Sequence, residues 1–181
     1  PAALATIGSF SREQVASYLA PEYRSFARDI DVTINRRVLD YDTVVIAGPV
    51  FPHEVVGFSG GAKYFFPGVC GPELLNFFHW LGALITIPKM IGVKDTPVRA
   101  MLHAAADFLA DTVESYALSM VVRGHDELRG LFFGPVKDSW SAAADRSAET
   151  HIITERTPYT SVLSCAPEMY DEQIGRASCR E

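Results

Sequence analysis

The run Thr43-Val-Val-Ile-Ala-Gly48 is short, continuous and apolar, and eleven residues rich in glycine and proline, Pro49 to Ser59, follow it. Such a run is typical of a strand buried on both faces of a parallel sheet. A loop leaving the carboxyl end of that strand lies where open α/β sheets usually bind ligands. The flanking sequence suits this frame. Ser11-Arg-Glu-Gln14 has the spacing of a capping box and starts a short helix. Asp31 to Val38 alternates and is β-branched, which reads as a partly exposed strand, and Asp40-Tyr-Asp42 is a turn signal. Gly71-Pro-Glu73 opens a helix with proline at its first position, and Leu74, Leu75, Phe78, Leu81 and Ile85 form one buried stripe. Asp95-Thr-Pro97 starts a second helix running through Leu109, with Ala104 to Ala106 permitting close packing. Strands are predicted over Ser115 to Val122 and Leu128 to Phe133 around Gly124-His-Asp126. A helix follows over Pro135 to Ala148, then two short strands over His151 to Thr154 and Ser161 to Cys165. The fold class is α/β, with alternating helices and strands around a largely parallel sheet.

Composition excludes several functions. With 48% apolar residues among 181, the chain can offset the ordering entropy of one domain. Phe77 to Ile87 is interrupted by His79 and Gly82, far short of the ~20 residues a membrane span needs. A net charge of −6 argues against affinity for nucleic-acid backbones. Cys70, Cys165 and Cys179 are too few and too scattered for a disulfide framework or a cysteine zinc site, which points to a reduced cytoplasmic setting.

The dense chemistry lies between Gly48 and Gly68, with His79 beyond. Ser59-Gly60-Gly61 leading into Ala62-Lys63 offers backbone amides beside a positive charge, a combination that cradles anions, although a bare Gly-Gly chain reversal reads the same. Gly57 to Lys63 approximates a phosphate-binding nucleotide loop. It departs where Ala62 replaces glycine and where Tyr64 stands in place of a magnesium-binding hydroxyl. His53, between Pro52 and Glu54, is placed to act as acid or base near neutral pH, or is an ordinary loop histidine. His79 sits off the apolar stripe of its helix. His103, His125 and His151 read as a helix-face, a turn and a strand-edge residue without a role.

Pro52-His53, Gly57-Phe-Ser-Gly-Gly-Ala-Lys63, Pro67-Gly68 and His79 together closely resemble the nickel-dependent lactate racemase family in its amino-terminal domain. Lys63 follows His53 by ten residues and His79 follows it by twenty-six. The likeness continues through Ile91-Gly-Val-Lys-Asp-Thr-Pro97, Trp140-Ser-Ala-Ala-Ala144 and Ser164-Cys-Ala-Pro-Glu-Met-Tyr170, covering essentially all of residues 1–172. The resemblance implies a nickel-pincer nucleotide cofactor, covalently attached at Lys63, with the metal completed by His79. Imidazole suits the square-planar preference of Ni(II) when three donors come from a pincer. It implies that His53 moves the proton of a small-molecule 2-hydroxyacid substrate while the cofactor takes hydride from C2 and returns it to either face through a ketoacid. The activity implied is that of an isomerase, a 2-hydroxyacid racemase or epimerase. Lys63 must be neutral for attachment, and Tyr64, Phe65 and Phe66 are expected to supply an apolar wall. A cofactor phosphate would use the amides of Ser59, Gly60 and Gly61. The alternatives are a non-enzymatic α/β binding domain, or a phosphate or nucleotide site at Gly57 to Lys63.

The last nine residues, Gln173-Ile-Gly-Arg-Ala-Ser-Cys-Arg-Glu181, carry no periodicity and read like the translation of a sequencing adapter. On that reading residues 1–172 are part of a lactate-racemase-like cofactor-binding domain. The resemblance then implies that a second acid/base histidine and a substrate arginine lie upstream, and that a carboxy-terminal domain lies downstream. The fragment alone is expected to be inactive.

Overall fold

In a computed structural model, residues 3–124, 127–155, 157, 159–161 and 163 are described. His125, Cys165, Cys179, the segment Ser164 to Tyr170 and the tail 173–181 lie outside them. In chain order the elements are β1 (Leu4–Phe10), α1 (Arg12–Ser17), β2 (Ile30–Asn35), β3 (Thr43–Pro49), β4 (Pro52–His53), β5 (Gly57–Phe58), α2 (Pro72–Ile85), α3 (Pro97–Ala110), β6 (Glu114–Arg123), β7 (Glu127–Pro135) and α4 (Val136–His151). Single 3₁₀ turns fill several of the connections.

The fold is α/β, and its main sheet is mixed. Strand order is β3-β6-β7, parallel between β3 and β6 and antiparallel between β6 and β7. A separate antiparallel pair joins β1 to β2. The expected largely parallel sheet is thus parallel in one of its pairs, because only three residues separate β6 from β7 and so short a connection permits only a hairpin. The strand over Thr43 to Pro49 forms as expected, with one face covered: Ile46 and Gly48 are buried while Thr43, Val45 and Ala47 are exposed. On the same outward side Tyr116 and Phe133 stack across β6 and β7, their ring centres 6.0 Å apart.

Local signals largely hold. Ser11 and Gln14 form the reciprocal capping box of α1. Pro72 begins α2, and Thr96 caps α3 by accepting the amide of Arg99 at 3.1 Å. α2 buries Leu74, Phe77, Phe78, Leu81 and Gly82, so Leu75 and Ile85 sit at the rim of the stripe. α4 extends to His151, and residues 152–155 form no strand. The extension is locked by the His151 ring, whose Nε2 reaches the carbonyl of Val122 at 2.9 Å. Of the second short strand expected, Val162, Ser164 and Cys165 lie outside the described residues.

Two cores result. The larger packs α2 and α3 against β1, β2 and β3 through Ile30, Val32, Ile34, Phe66, Phe78 and Leu102. The smaller lies under α4 and joins Val50, Phe58, Val121, Trp140, Ala143 and Ala144. Val50 and Phe58 belong to the loop after β3, so the second core anchors the candidate site. Among the described residues no helix is long and apolar enough to cross a membrane.

Candidate functional site

The segment Pro49 to Ser59 is an ordered hairpin. β4 and β5 pair Pro52 with Phe58 and His53 with Gly57. Ser59 closes the hairpin, its amide donating to the Phe51 carbonyl at 2.8 Å and its hydroxyl accepting the Phe51 amide at 2.9 Å. The Ser59 amide and hydroxyl are therefore committed inside the loop, which corrects the expectation that all three amides of Ser59, Gly60 and Gly61 face an anion. The amides of Gly60 and Gly61 donate to no acceptor among the described residues. Gly57 and Phe58 being paired as a strand, the tight strand-loop-helix of a nucleotide loop is not formed.

Gly61–Tyr64 forms one 3₁₀ turn that carries Lys63. The Lys63 amide donates to the Gly60 carbonyl at 3.3 Å, and its own carbonyl accepts the Gly68 amide at 3.1 Å. Glycine is required at Gly61, where φ is +59° and a Cβ would stand 2.8 Å from Cβ of Trp140. Ser59, Gly60, Lys63, Tyr64 and Gly68 line a cavity of about 190 Å³. Phe65 and Phe66 instead turn into the larger core, so of the three aromatic residues expected beside Lys63 only Tyr64 faces it. The helical turn alternates sides within two residues, which separates Tyr64 from Phe65.

Burial of Lys63 and, secondarily, the nearby Arg99 charge lower the pKa of its amine, with Glu54 opposing. His53 is half-buried, and its Nδ1 accepts the Val55 amide at 3.0 Å, which places the proton of the neutral ring on Nε2. Burial lowers the His53 pKa most, Glu54 raises it, and Lys63, Arg99 and His79 lower it further. Lys63 and His79 are thus near enough for their charges to act on His53. His79 is exposed on α2, away from the stripe as expected.

Two residues to which no role was given support the loop from behind. Arg99 of α3, 2% exposed, donates to the carbonyls of Phe58 and Gly60 and lies 4.2 Å from the centre of the Trp140 ring. The Trp140 indole donates to the Ser59 carbonyl at 2.9 Å. The signal the sequence carries for Arg99 is its place three residues after Thr96, among the apolar Val98, Met101 and Leu102 of the same helix. His103 is packed edge-on against Trp140, and burial, with Arg99 and Lys137, pushes its pKa down to about 4. A larger groove of about 680 Å³ between α3 and α4 lies behind Arg99. Its charges are mixed, with Lys94, Asp95, Lys137 and Asp138 on its walls, and none of His53, Ser59, Gly60, Gly61, Lys63 and His79 lines it.

Residues 25–89 match the model of the lactate racemase N-terminal domain. The chain is similar to a solved protein from Thermotoga maritima, 29% identical, with a TM-score of 0.72, covering 83% of this chain and 36% of that one. It is also similar in fold to the lactate racemase apoprotein from Thermoanaerobacterium thermosaccharolyticum, 20% identical, with a TM-score of 0.52, covering 64% of this chain and 27% of that one. The chain spans about a third of the length of the Thermotoga protein. No protein of curated function matches it. The segment that holds His53, Lys63 and His79 thus lies within residues 25–89, the part of the chain that matches the lactate racemase N-terminal domain.

Proposed function

We propose that this chain is the cofactor-carrying part of a 2-hydroxyacid racemase or epimerase, in which Lys63 bears a nickel-pincer nucleotide, His79 gives the metal a protein nitrogen and His53 handles the proton of the substrate hydroxyl. The observation that carries the reading is a half-buried lysine of lowered pKa on a cavity wall, within electrostatic reach of a half-buried histidine.

The donor set fits such a group. A primary amine attacks an activated carboxyl only when neutral, and desolvation raises the neutral fraction of Lys63 near physiological pH. Among the described residues no three His, Cys, Asp or Glu side chains gather into a metal-holding group. A metal here would have to bring most of its ligands, as a pincer does. The cavity is smaller than the roughly 300 Å³ and more of an ordinary ligand pocket. It would suit the attached end of a cofactor held at Lys63. Free amides at Gly60 and Gly61 are available to an anionic group of the cofactor or substrate.

When bound, the group supplies reversible hydride acceptance at the substrate carbon. The chain's own contribution is binding and proton transfer. His53 presents Nε2 because the Val55 amide holds Nδ1, and a ring of lowered pKa stays neutral at pH 7, the form that accepts a hydroxyl proton. The partners in this reading are the 2-hydroxyacid and further polypeptide of a longer protein, in a reduced cytoplasmic setting.

The test is co-expression of the chain with cofactor-synthesis enzymes, followed by intact mass, nickel content and peptide mapping. A mass increment on the Lys63 peptide that Lys63→Arg abolishes is the expected result. An increment on another lysine, or equal nickel retention in Lys63→Arg, overturns the reading.

A further inference from the structure

Three consecutive carbonyls of the glycine turn are gripped from the side opposite the cavity. Arg99 holds those of Phe58 and Gly60, the latter at 3.5 Å, and Trp140 holds that of Ser59 between them. The Gly60 carbonyl is shared, because the amide of Lys63 also donates to it, at 3.3 Å. Arg99 thus reaches the Lys63 backbone through one oxygen atom. The guanidinium is fully buried, its Nε has no partner, and among the described residues no carboxylate pairs with it. An unpaired cation in a core is costly, and an apolar side chain of similar length would pack there at lower cost. Packing alone therefore does not account for arginine at this position.

We propose that Arg99, seated on the Trp140 ring, is a positioning residue for Lys63, fixing the carbonyls from which the Lys63 turn hangs and so directing the amine into its cavity. The proposal rests on the reading of Lys63 as the attachment residue. The buried charge has a second effect. Burial pushes the Arg99 pKa down only to about 9, so it remains charged at neutral pH, and its field disfavours the ammonium form of Lys63. Glu54 opposes this field at Lys63, and His53 and His103 feel it too. A carboxylate would neutralise the cation, whereas the Trp140 ring face attracts it and leaves it charged.

The experiment acylates the whole 181-residue chain with the N-hydroxysuccinimide ester of acetic acid over a pH series. Modification of Lys63 is read by peptide mass spectrometry, with Lys89 and Lys137 as references in the same molecule. Amide hydrogen exchange of the Lys63 segment is recorded in parallel. In Arg99→Met the half-labelling pH of Lys63 should rise by at least half a unit while the references stay put. In Arg99→Lys, which keeps a charge and loses the two-pronged grip, the half-labelling pH should stay low while exchange around Lys63 speeds at least tenfold. The second variant decides the matter if Arg99→Met does not fold. Unchanged labelling and unchanged exchange in either folded variant overturn the proposal. Failure of the cofactor reading looks different: no mass increment on Lys63 after co-expression, with the labelling shifts still present.

Discussion

The indole N–H of Trp140 donates to the carbonyl of Ser59 at 2.9 Å, joining residues 81 positions apart. This bond ties the first turns of α4 to the loop that carries Lys63. Trp140 is 3% exposed and belongs to the smaller core, so its ring and its donor make separable contributions. Trp140→Phe keeps an aromatic surface under Arg99 and orphans the Ser59 carbonyl, which should cost about 1–3 kcal/mol. Trp140→Ala removes the surface as well and should cost about 3–5 kcal/mol. Urea melts of both variants check the pair. Equal losses would mean that the hydrogen bond contributes nothing beyond the ring.

Gly61 offers a test of crowding against backbone conformation. Its φ is +59°, and an added Cβ would meet the Trp140 side chain at 2.8 Å. Gly124 has a similar φ of +70°, and among the described residues nothing would lie within 4 Å of its added Cβ. Alanine at Gly124 should cost only the left-handed backbone penalty, about 1–2 kcal/mol. Alanine at Gly61 should cost that amount plus a displacement of Trp140, and should slow Lys63 acylation, since the turn must shift. Chemical denaturation of the two variants separates the terms. A Gly61→Ala loss no larger than the Gly124→Ala loss would show that Trp140 gives way freely.

Much of this arrangement was legible in the sequence because its determinants are local. The Ser11 and Gln14 cap, Pro72 at the start of α2 and the helix start at Asp95-Thr-Pro97 each act within a few residues, and each forms as read. His53, Lys63 and His79 stand out through the resemblance of their segment to a known family, not through any local rule. What was not legible is what distant segments do to one another. The run Thr43 to Gly48 is apolar enough for two covered faces, yet Val45 is 58% exposed. Its covering depends on residues elsewhere in the chain rather than on the run itself. The pairing of Arg99 with Trp140 and their shared grip on residues 58 to 60 span α3, α4 and the hairpin, so no window of the sequence contains it. The free amides expected at Ser59 were lost for a similar reason, since Phe51 across the hairpin takes both polar groups of that residue.

Cys70 is half-buried, its Sγ lies 3.2 Å from the Gly71 carbonyl, and burial pushes its thiol pKa up to about 11. At pH 8 the thiolate fraction should be ~100-fold below that of an ordinary cysteine with a pKa near 9. Iodoacetamide should therefore modify Cys70 at least that much more slowly in the native chain than in the chain dissolved in urea. Peptide mass spectrometry gives both rates. Native and unfolded rates within a factor of three would show that the thiol is not desolvated.

Acid should destabilise the fold through two half-buried imidazoles, His53 and His103. Burial, with Arg99 and Lys137, takes His103 down to about 4, and burial lowers His53 as well. In the unfolded chain both imidazoles bind a proton near pH 6.5. Between that pH and the native pKa values the unfolded state holds more protons than the native one, so stability falls as pH falls. The contribution is fully present above about pH 7 and is lost progressively below 6.5. After allowance for the partial exposure of His103, its share of the loss between pH 7 and pH 5 should be on the order of 1–2 kcal/mol. Urea denaturation at intervals of half a pH unit measures the slope. His103→Gln, which cannot protonate, should flatten it by more than half, and His53→Gln should remove part of what remains. A slope unchanged in His103→Gln would mean that this imidazole charges in place, and that the cation already held between α3 and α4 at Arg99 does not govern its protonation.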